Sequence, residues 1–391
     1  MVTEHKILAL TTDPVYIGTG GYTIGRVDNT IVRDPITKVP KIPGSSLAGV
    51  WRYYTTLEIF SKIKNIKPKR DDVSKQSGSS LSEKIKKWIE INKGNWNSSN
   101  YYHFEGNVLL DLTCAGQDNV PQEELANITA INKEGKTGHC GHCLVCKGFG
   151  FSKKDISWQG LIFFSDLNIL FFPVFTMYGT KWITTAGKLK EAGIKCDGLS
   201  EPTDNKVLTK NGNEGHINLG WLYLEVGGTH SVSLNNKIKF ENLELKDTEI
   251  IIVSENLFSQ IVNSNLEVRT SVSIDPITGA AKEGALFTSE AIPRGTILYG
   301  NVRIFDKSSF SGVDSKLQPL PDLNTLECAL KESKHFFETL GIGGMTTRGF
   351  GRMKIVLGKE LEEKECDKKS NSTNVQNSQS NKQTNAQGGK L

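Results

Sequence analysis

The sequence predicts an α+β fold, a ferredoxin-like βαββαβ core enlarged by insertions, and three features of the chain predict it. A strand pattern followed by a helix pattern opens the chain. A helix pattern followed by a strand closes it. Between them lie β-branched and aromatic runs that read as sheet. With 391 residues the chain has the length of two or three domains. One elaborated domain over 1–358 with long insertions accounts for the same length.

The opening MVTEHKILALTTDP reads as the first strand, because its apolar run between Lys6 and Thr11 is too short for a secretory segment. After Pro43 and Gly44, the residues Leu47, Val50, Trp51, Tyr54 and Leu57 keep helical spacing, which predicts a helix from Ser45 or Ser46. Lys62, Lys64, Lys67, Lys69, Lys84, Lys86 and Lys87 among serines and glycines mark 62–100 as an exposed helical insertion. A cysteine-bearing insertion follows over 112–150. Gly160 to Phe175 reads as two buried strands or one bent strand, and Ile217–Val226, Glu249–Ser254, Val268–Ile274 and Thr296–Ile304 add to the sheet. The closing helix is predicted from Asn324 as cap with Glu327 three residues on, an inward stripe of Leu326, Leu330, Phe337 and Leu340, and Gly341 as its end. Arg352–Leu357 is the last strand. From 359 to 391 there is almost nothing apolar to offset the entropy of ordering, so this polar tail is expected to be disordered.

A formal charge of +4 is too mild to imply a polyanionic partner by itself, so that case rests on where the charges sit. No run of 18 apolar residues is present, which argues against a membrane protein. Seven cysteines, four of them between Cys114 and Cys146, suit metal ligation better than a disulfide framework and point to a reducing cytoplasm.

Three segments carry chemistry. In HCGHCLVCKGFG, Cys140, Cys143 and Cys146 stand two residues apart, a spacing that lets three thiolates converge on one tetrahedral ion. Cys114 is the natural fourth ligand, with His139 and His142 as alternatives. Zinc favours such closed sulfur and nitrogen sites, and four protein ligands leave no open position, so the centre is expected to be structural. The first glycine-rich loop has Gly18, Gly20, Gly21 and Gly25, which let a phosphate approach the backbone, and PGSS at the helix entry offers N–H groups and two hydroxyls to an anion. No Gly-Lys-Ser/Thr closes it, and the strand–glycine–helix spacing is wrong for a dinucleotide fingerprint. The last loop, LGIGGMTTRGFGRMK, combines Gly341, Gly343, Gly344, Gly349 and Gly351 with Thr346, Thr347, Arg348, Phe350 and Arg352. These are the parts needed to hold a sugar–phosphate chain and stack a base.

In order along the chain, IGRVDNTIVRDPITKVPKIPGSSLAGVWR, CGHCLVCKGFG, FFSDLNILFFPV, RTSVSIDPITGAAKEGALFTSEAIPRGTILYG and GIGGMTTRGFGRM resemble the backbone subunit of type III CRISPR effector complexes, in the RAMP superfamily. The resemblance implies a modified RNA-recognition-like (RRM-like) fold in a prokaryotic cytoplasm. It implies partners too: a guide CRISPR RNA, a single-stranded target RNA, further copies of the chain and other effector subunits. It also implies a thumb hairpin that interrupts the guide–target duplex, which would fall within 185–245, where Lys206, Lys210 and His216, with Lys181 and Trp182 nearby, could reach RNA. Target cleavage, with Mg or Mn, would fall to the first-loop aspartate, Asp28 by motif alignment, with Asp34 the adjacent candidate. Guide contacts carry over to Gly20, Gly21, Arg26, Lys41, Gly44, Ser45, Ser46, Arg52, Gly343, Gly344, Thr346, Arg348 and Arg352. Ala48 stands where relatives usually place a lysine, so one phosphate contact is missing or comes from elsewhere, with Lys41 the substitute.

Overall fold

The computed structural model describes residues 2–20, 27–62, 75–78, 87, 112–115, 139, 143–152, 157–196, 198–212, 215–234, 238–240, 243–310, 312 and 320–358. Most of the insertion expected at 62–100, much of 112–150 and the tail 359–391 lie outside the described residues. The rest is a mixed α/β arrangement on one eleven-stranded sheet.

Strand β1 (Val2–Thr11) and β2 (Lys41–Ile42) precede helix α1 (Gly44–Lys62). Helix α2 (Leu144–Phe149) leads into the short strands β3 (Phe151–Ser152) and β4 (Ser157–Trp158). Next come β5 (Ile162–Phe164), β6 (Leu167–Thr176), β7 (Gly179–Thr184) and helix α3 (Ala186–Glu191). Strands β8 (Lys206–Thr209), β9 (His216–Leu219), β10 (Leu222–Thr229), β11 (Lys239–Phe240), β12 (Leu243–Glu244) and β13 (Ile250–Ile252) lead to helix α4 (Glu255–Ser264). The hairpin β14 (Glu267–Ile274) and β15 (Ala281–Ala291) follows, then β16 (Ile297–Phe305), helices α5 (Leu323–Ser333) and α6 (Phe336–Thr339), and β17 (Met353–Leu357).

The sheet runs β17-β1-β16-β6-β7-β13-β8-β10-β9, with β2 on β6 and β5 on β16. Its first four strands are antiparallel throughout: β1 lies between β16 and β17, and β16 pairs with β6. Alternation along β1 sends Ile7 and Ala9 into one core and Leu8 and Leu10 into the other. Against the first core lies α1. Its Trp51 is fully buried, edge-on to Phe337 at 5.1 Å, and donates to Ser333 Oγ at 3.1 Å.

The closing helix differs from expectation. Asp322, not Asn324, caps it, its Oδ1 taking the Thr325 N–H at 2.8 Å. Glu327 is then released from the expected capping box and lies buried against His5 Nε2 at 2.8 Å. Leu326, Leu330 and Phe337 are buried as the stripe requires, but Leu340 is 43% exposed, because the helix breaks after Ser333 and restarts as α6. Gly160–Phe175 resolves into the two strands β5 and β6. The segment 185–245 is built into the molecule, where β8, β10 and β9 extend the main sheet. The hairpin that stands apart as its own two-stranded sheet is β14–β15. Toward its tip both faces are open, with Ile274 at 60% and Ile277 at 92% exposure.

Candidate functional site

The two glycine-rich loops, one near each terminus, lie against each other. The Gly344 N–H donates to the Tyr16 carbonyl at 3.0 Å, and the Gly351 N–H donates to the Pro14 carbonyl at 2.8 Å. At Gly343 and Gly344 this close contact requires glycine. A Cβ on Gly343, where φ is +85°, would stand 2.2 Å from the Tyr16 carbonyl oxygen, closer than atoms can approach. Arg269, at the root of the β14–β15 hairpin, donates to the Gly349 carbonyl at 3.2 Å and lies 4.7 Å from the centre of the Phe350 ring. Phe350 is only 3% exposed, so the expectation that it stacks a base is corrected: its ring belongs to this junction. Arg348 and Arg352 are exposed and Thr346 is half-buried. Arg352 also holds Asp13 Oδ2 at 3.2 Å.

Asp28 sits where the first loop meets the hairpin root. Its Oδ2 accepts the Thr288 N–H at 2.8 Å and the Thr288 hydroxyl at 3.0 Å, and its own N–H donates to Thr288 Oγ1 at 3.1 Å. The backbone bond from Thr288, then the hydroxyl, holds the Asp28 carboxyl below its ordinary range. Both Thr288 bonds fall on Oδ2, and the side chain is exposed. Gly20 is exposed as well, while Gly21 and Arg26 lie outside the described residues.

Asp34 is differently employed. Its Oδ1 accepts the N–H groups of Ile36 at 3.0 Å and Thr37 at 2.9 Å, closing an Asx turn, and Oδ2 faces Lys41 Nζ at 3.5 Å. The Thr37 N–H leads in holding its carboxyl below the usual range. The tetrapeptide Asp-Pro-Ile-Thr recurs at 275–278, where Asp275 Oδ1 takes the Ile277 N–H at 2.7 Å. The same letters make the same turn.

At the entry of α1, the Gly44 N–H is bound by Asp166 Oδ1 at 2.8 Å, and Asp166 Oδ2 pairs with Lys41 at 2.7 Å. Burial pushes the Asp166 carboxyl up, but the Lys41 and Gly44 bonds hold it below its ordinary range, while the Asp166 bond holds Lys41 above its own. Part of the expected phosphate cradle is therefore filled by the protein's own carboxylate. A Cβ on Gly44 would also meet the Phe164 carbonyl at 2.7 Å, so this glycine answers to packing. Ser45 remains exposed and Ser46 half-buried.

The expectation that Arg52 contacts RNA is corrected. The side chain is 9% exposed and turns inward, donating to the Cys114 carbonyl at 2.6 Å, the Gly150 carbonyl and His139 Nδ1 at 2.9 Å, with Cys146 Sγ at 3.7 Å. A buried cation needs acceptors, and the cysteine cluster supplies them. The sulfur atoms of Cys114, Cys143 and Cys146 lie within 4.8 Å of one another, and all three residues are buried. Sulfurs in a tetrahedral zinc centre stand roughly 3.8 Å apart, given bonds of about 2.3 Å, so the three fit such an ion. The Cys146 N–H donates to Cys143 Sγ at 3.4 Å, a bond that favours negative charge on that sulfur. Cys140 and His142 lie outside the described residues. His139, the alternative ligand, is buried, and its Nδ1 faces the Arg52 guanidinium at 2.9 Å.

Thr288, Asp166 and Arg269 went unnoticed in the sequence. Asp166 left one signal, an acid beside long apolar runs, as a helix-capping residue would be.

No helix among the described residues is long and apolar enough to cross a membrane. The RAMP superfamily model matches residues 9–354. Among solved structures, the apo cryo-EM structure of the type III-B Cmr-beta complex aligns with TM-score 0.48 and 14% identity, covering 92% of this chain and 98% of that one. A crystal structure of Cmr4 aligns with TM-score 0.45 and 17% identity, covering 91% and 99%. Oligomeric Cmr4 from Pyrococcus furiosus gives 0.45 and 16%, covering 91% and 97%. Comparison with curated proteins finds no match.

Proposed function

The chain belongs to the RAMP superfamily, and from that membership we propose that it is the backbone subunit of a type III CRISPR effector complex, gripping guide RNA and cutting base-paired target RNA through Asp28. We read β1, α1, β6, β16, α5 and β17 as its ferredoxin-like, RRM-like core: strand order 4-1-3-2 with a helix after the first and third strands has that topology. In this reading the thumb is the β14–β15 hairpin and not a part of 185–245, because it stands apart from the sheet and is bonded at its root to Asp28.

One observation carries the catalytic reading. Asp28 is an exposed carboxylate whose Oδ2 is fixed at the hairpin root by both Thr288 bonds, leaving Oδ1 to face outward, whereas Asp34 is spent on its own turn. A hairpin that splays the target beside Asp28 would align a 2′-hydroxyl with its neighbouring phosphorus. Asp28 Oδ1 would take the hydroxyl proton as the 2′-oxygen attacks, the bond to the 5′-oxygen breaks and water returns a proton to that leaving oxygen. Alternatively Oδ1 would hold Mg or Mn, which neutralises phosphate charge. The guide grip falls chiefly to Ser45, Ser46, Thr346 and Arg348, since Lys41 is already matched by Asp166 and Asp34, and Arg352 by Asp13.

Zinc would be held by Cys114, Cys143 and Cys146 with Cys140 as fourth ligand, and Arg52 would offset the thiolate charge. It would staple the chain and take no part in cleavage.

Assembled complex with guide, labelled target and Mg or Mn tests the reading. Asp28→Ala should abolish cutting while target binding persists, and cutting at the native rate would refute the assignment. A non-cleaving scaffold is the second reading, favoured by Ala48 in the place of a phosphate-binding lysine. It predicts intact target with the native chain.

A further inference from the structure

We propose that Thr288 is a positioning residue: it clamps the Asp28 carboxylate to the hairpin root in one rotamer, so that Oδ1 is the oxygen presented to the target strand. The inference rests on the reading of Asp28 as the cleaving group.

The hydroxyl of Thr288 is used in both senses, accepting from the Asp28 N–H at 3.1 Å and donating to Asp28 Oδ2 at 3.0 Å, while the Thr288 N–H donates to the same oxygen at 2.8 Å. The next residue fastens the two segments again. The Asn29 N–H donates to the Thr288 carbonyl at 3.0 Å, and the Glu290 N–H donates to the Asn29 carbonyl at 3.0 Å. An exposed aspartate without such partners turns among staggered rotamers, and little of its time is spent in any one reactive geometry. With them, the carboxylate moves as part of the hairpin. Thr288 would thereby keep the base and the strand-bending element in register, which a free loop aspartate would not achieve. Because both donors bind the charged form, the clamp also keeps Asp28 ionised to lower pH.

Thr288→Val keeps shape and branching but removes the hydroxyl, and Thr288→Ser keeps the hydroxyl. In assembled complex with saturating target and Mg, the valine variant should cut about 10- to 100-fold more slowly in a single turnover, the scale of a misplaced reacting group. Target affinity should stay unchanged, and the acid limb of its rate–pH profile should move to higher pH. The serine variant should retain most of the rate. If the valine chain does not assemble, Thr288→Ala makes the same comparison. Ser289→Ala, which removes only the neighbouring acceptor of Asn29 Nδ2 at 3.3 Å, should cut at the native rate. Native cutting by Thr288→Val, or an equal loss in Ser289→Ala, would overturn the proposal while Asp28→Ala still abolishes cleavage. Cutting by Asp28→Ala would instead remove the catalytic reading itself, and the clamp with it.

Discussion

Replacing Arg52 by alanine should loosen the fold and leave the hold on RNA as it was. Arg52 is 9% exposed and its guanidinium has four partners: the carbonyls of Cys114 and Gly150, His139 Nδ1 and Cys146 Sγ. Hydrogen bonds to a charged group contribute about 1.5–3 kcal/mol each. Three good ones give an upper bound of roughly 9 kcal/mol, and removing the cation also removes the cost of burying it. Losing one partner of a buried charged network costs about 3–5 kcal/mol, and that is the expected effect. Set against a typical total of about 5–15 kcal/mol, it is large. Denaturant unfolding followed by the fluorescence of the adjacent, fully buried Trp51 should show the midpoint fall. A phosphate contact would behave otherwise, leaving the midpoint in place and making the log–log salt dependence of RNA binding shallower by about 0.7. That second pattern would refute the inward role argued for Arg52.

Three further outcomes follow from the geometry. Gly343→Ala places a methyl in the left-handed region against the Tyr16 carbonyl, so it should cost more than about 1–2 kcal/mol in thermal unfolding, and a neutral result would contradict the loop-to-loop contact. Burial holds His230 below its ordinary 6.5, so the unfolded chain takes up the proton first as pH falls. Its contribution is therefore complete above the ordinary value and is lost as pH drops toward the lowered one; melting at neutral and mildly acid pH should show a smaller loss in His230→Gln, and an equal loss would exclude this residue as the cause. Metal analysis of purified chain should find about one zinc per copy, with release on Cys143→Ser, and a folded metal-free native protein would contradict the cysteine centre.

The sequence displayed its sheet and first helix well because burial imposes periodicity. Leu47, Trp51 and Tyr54 are all buried where their spacing placed them. It concealed β15 because Ala281, Lys282 and Leu286 are exposed toward the hairpin tip and burial is confined to Ser289, Glu290 and Ala291 at its root, so no apolar alternation marks the strand. Arg52 looked like a surface charge since its acceptors lie 62 to 98 residues away, in contacts that only the fold creates. Asp28 was found through its motif, but its partner Thr288 is 260 residues distant, and nothing local to either residue joins them. Small residues admit close approach, and at Gly343 and Gly344 what approaches is Tyr16 of the other loop, a contact no local pattern announces.

The seam between the two glycine-rich loops also sets an order of manufacture. Residues 14–16 meet 344–351, and β1 sits between β16 and β17, so β1 leaves the ribosome long before the strands that flank it. Such long sequence separations make for slow closure. A nascent chain stopped short of β17 would hold the loop at 14–16 without the surface that shapes it.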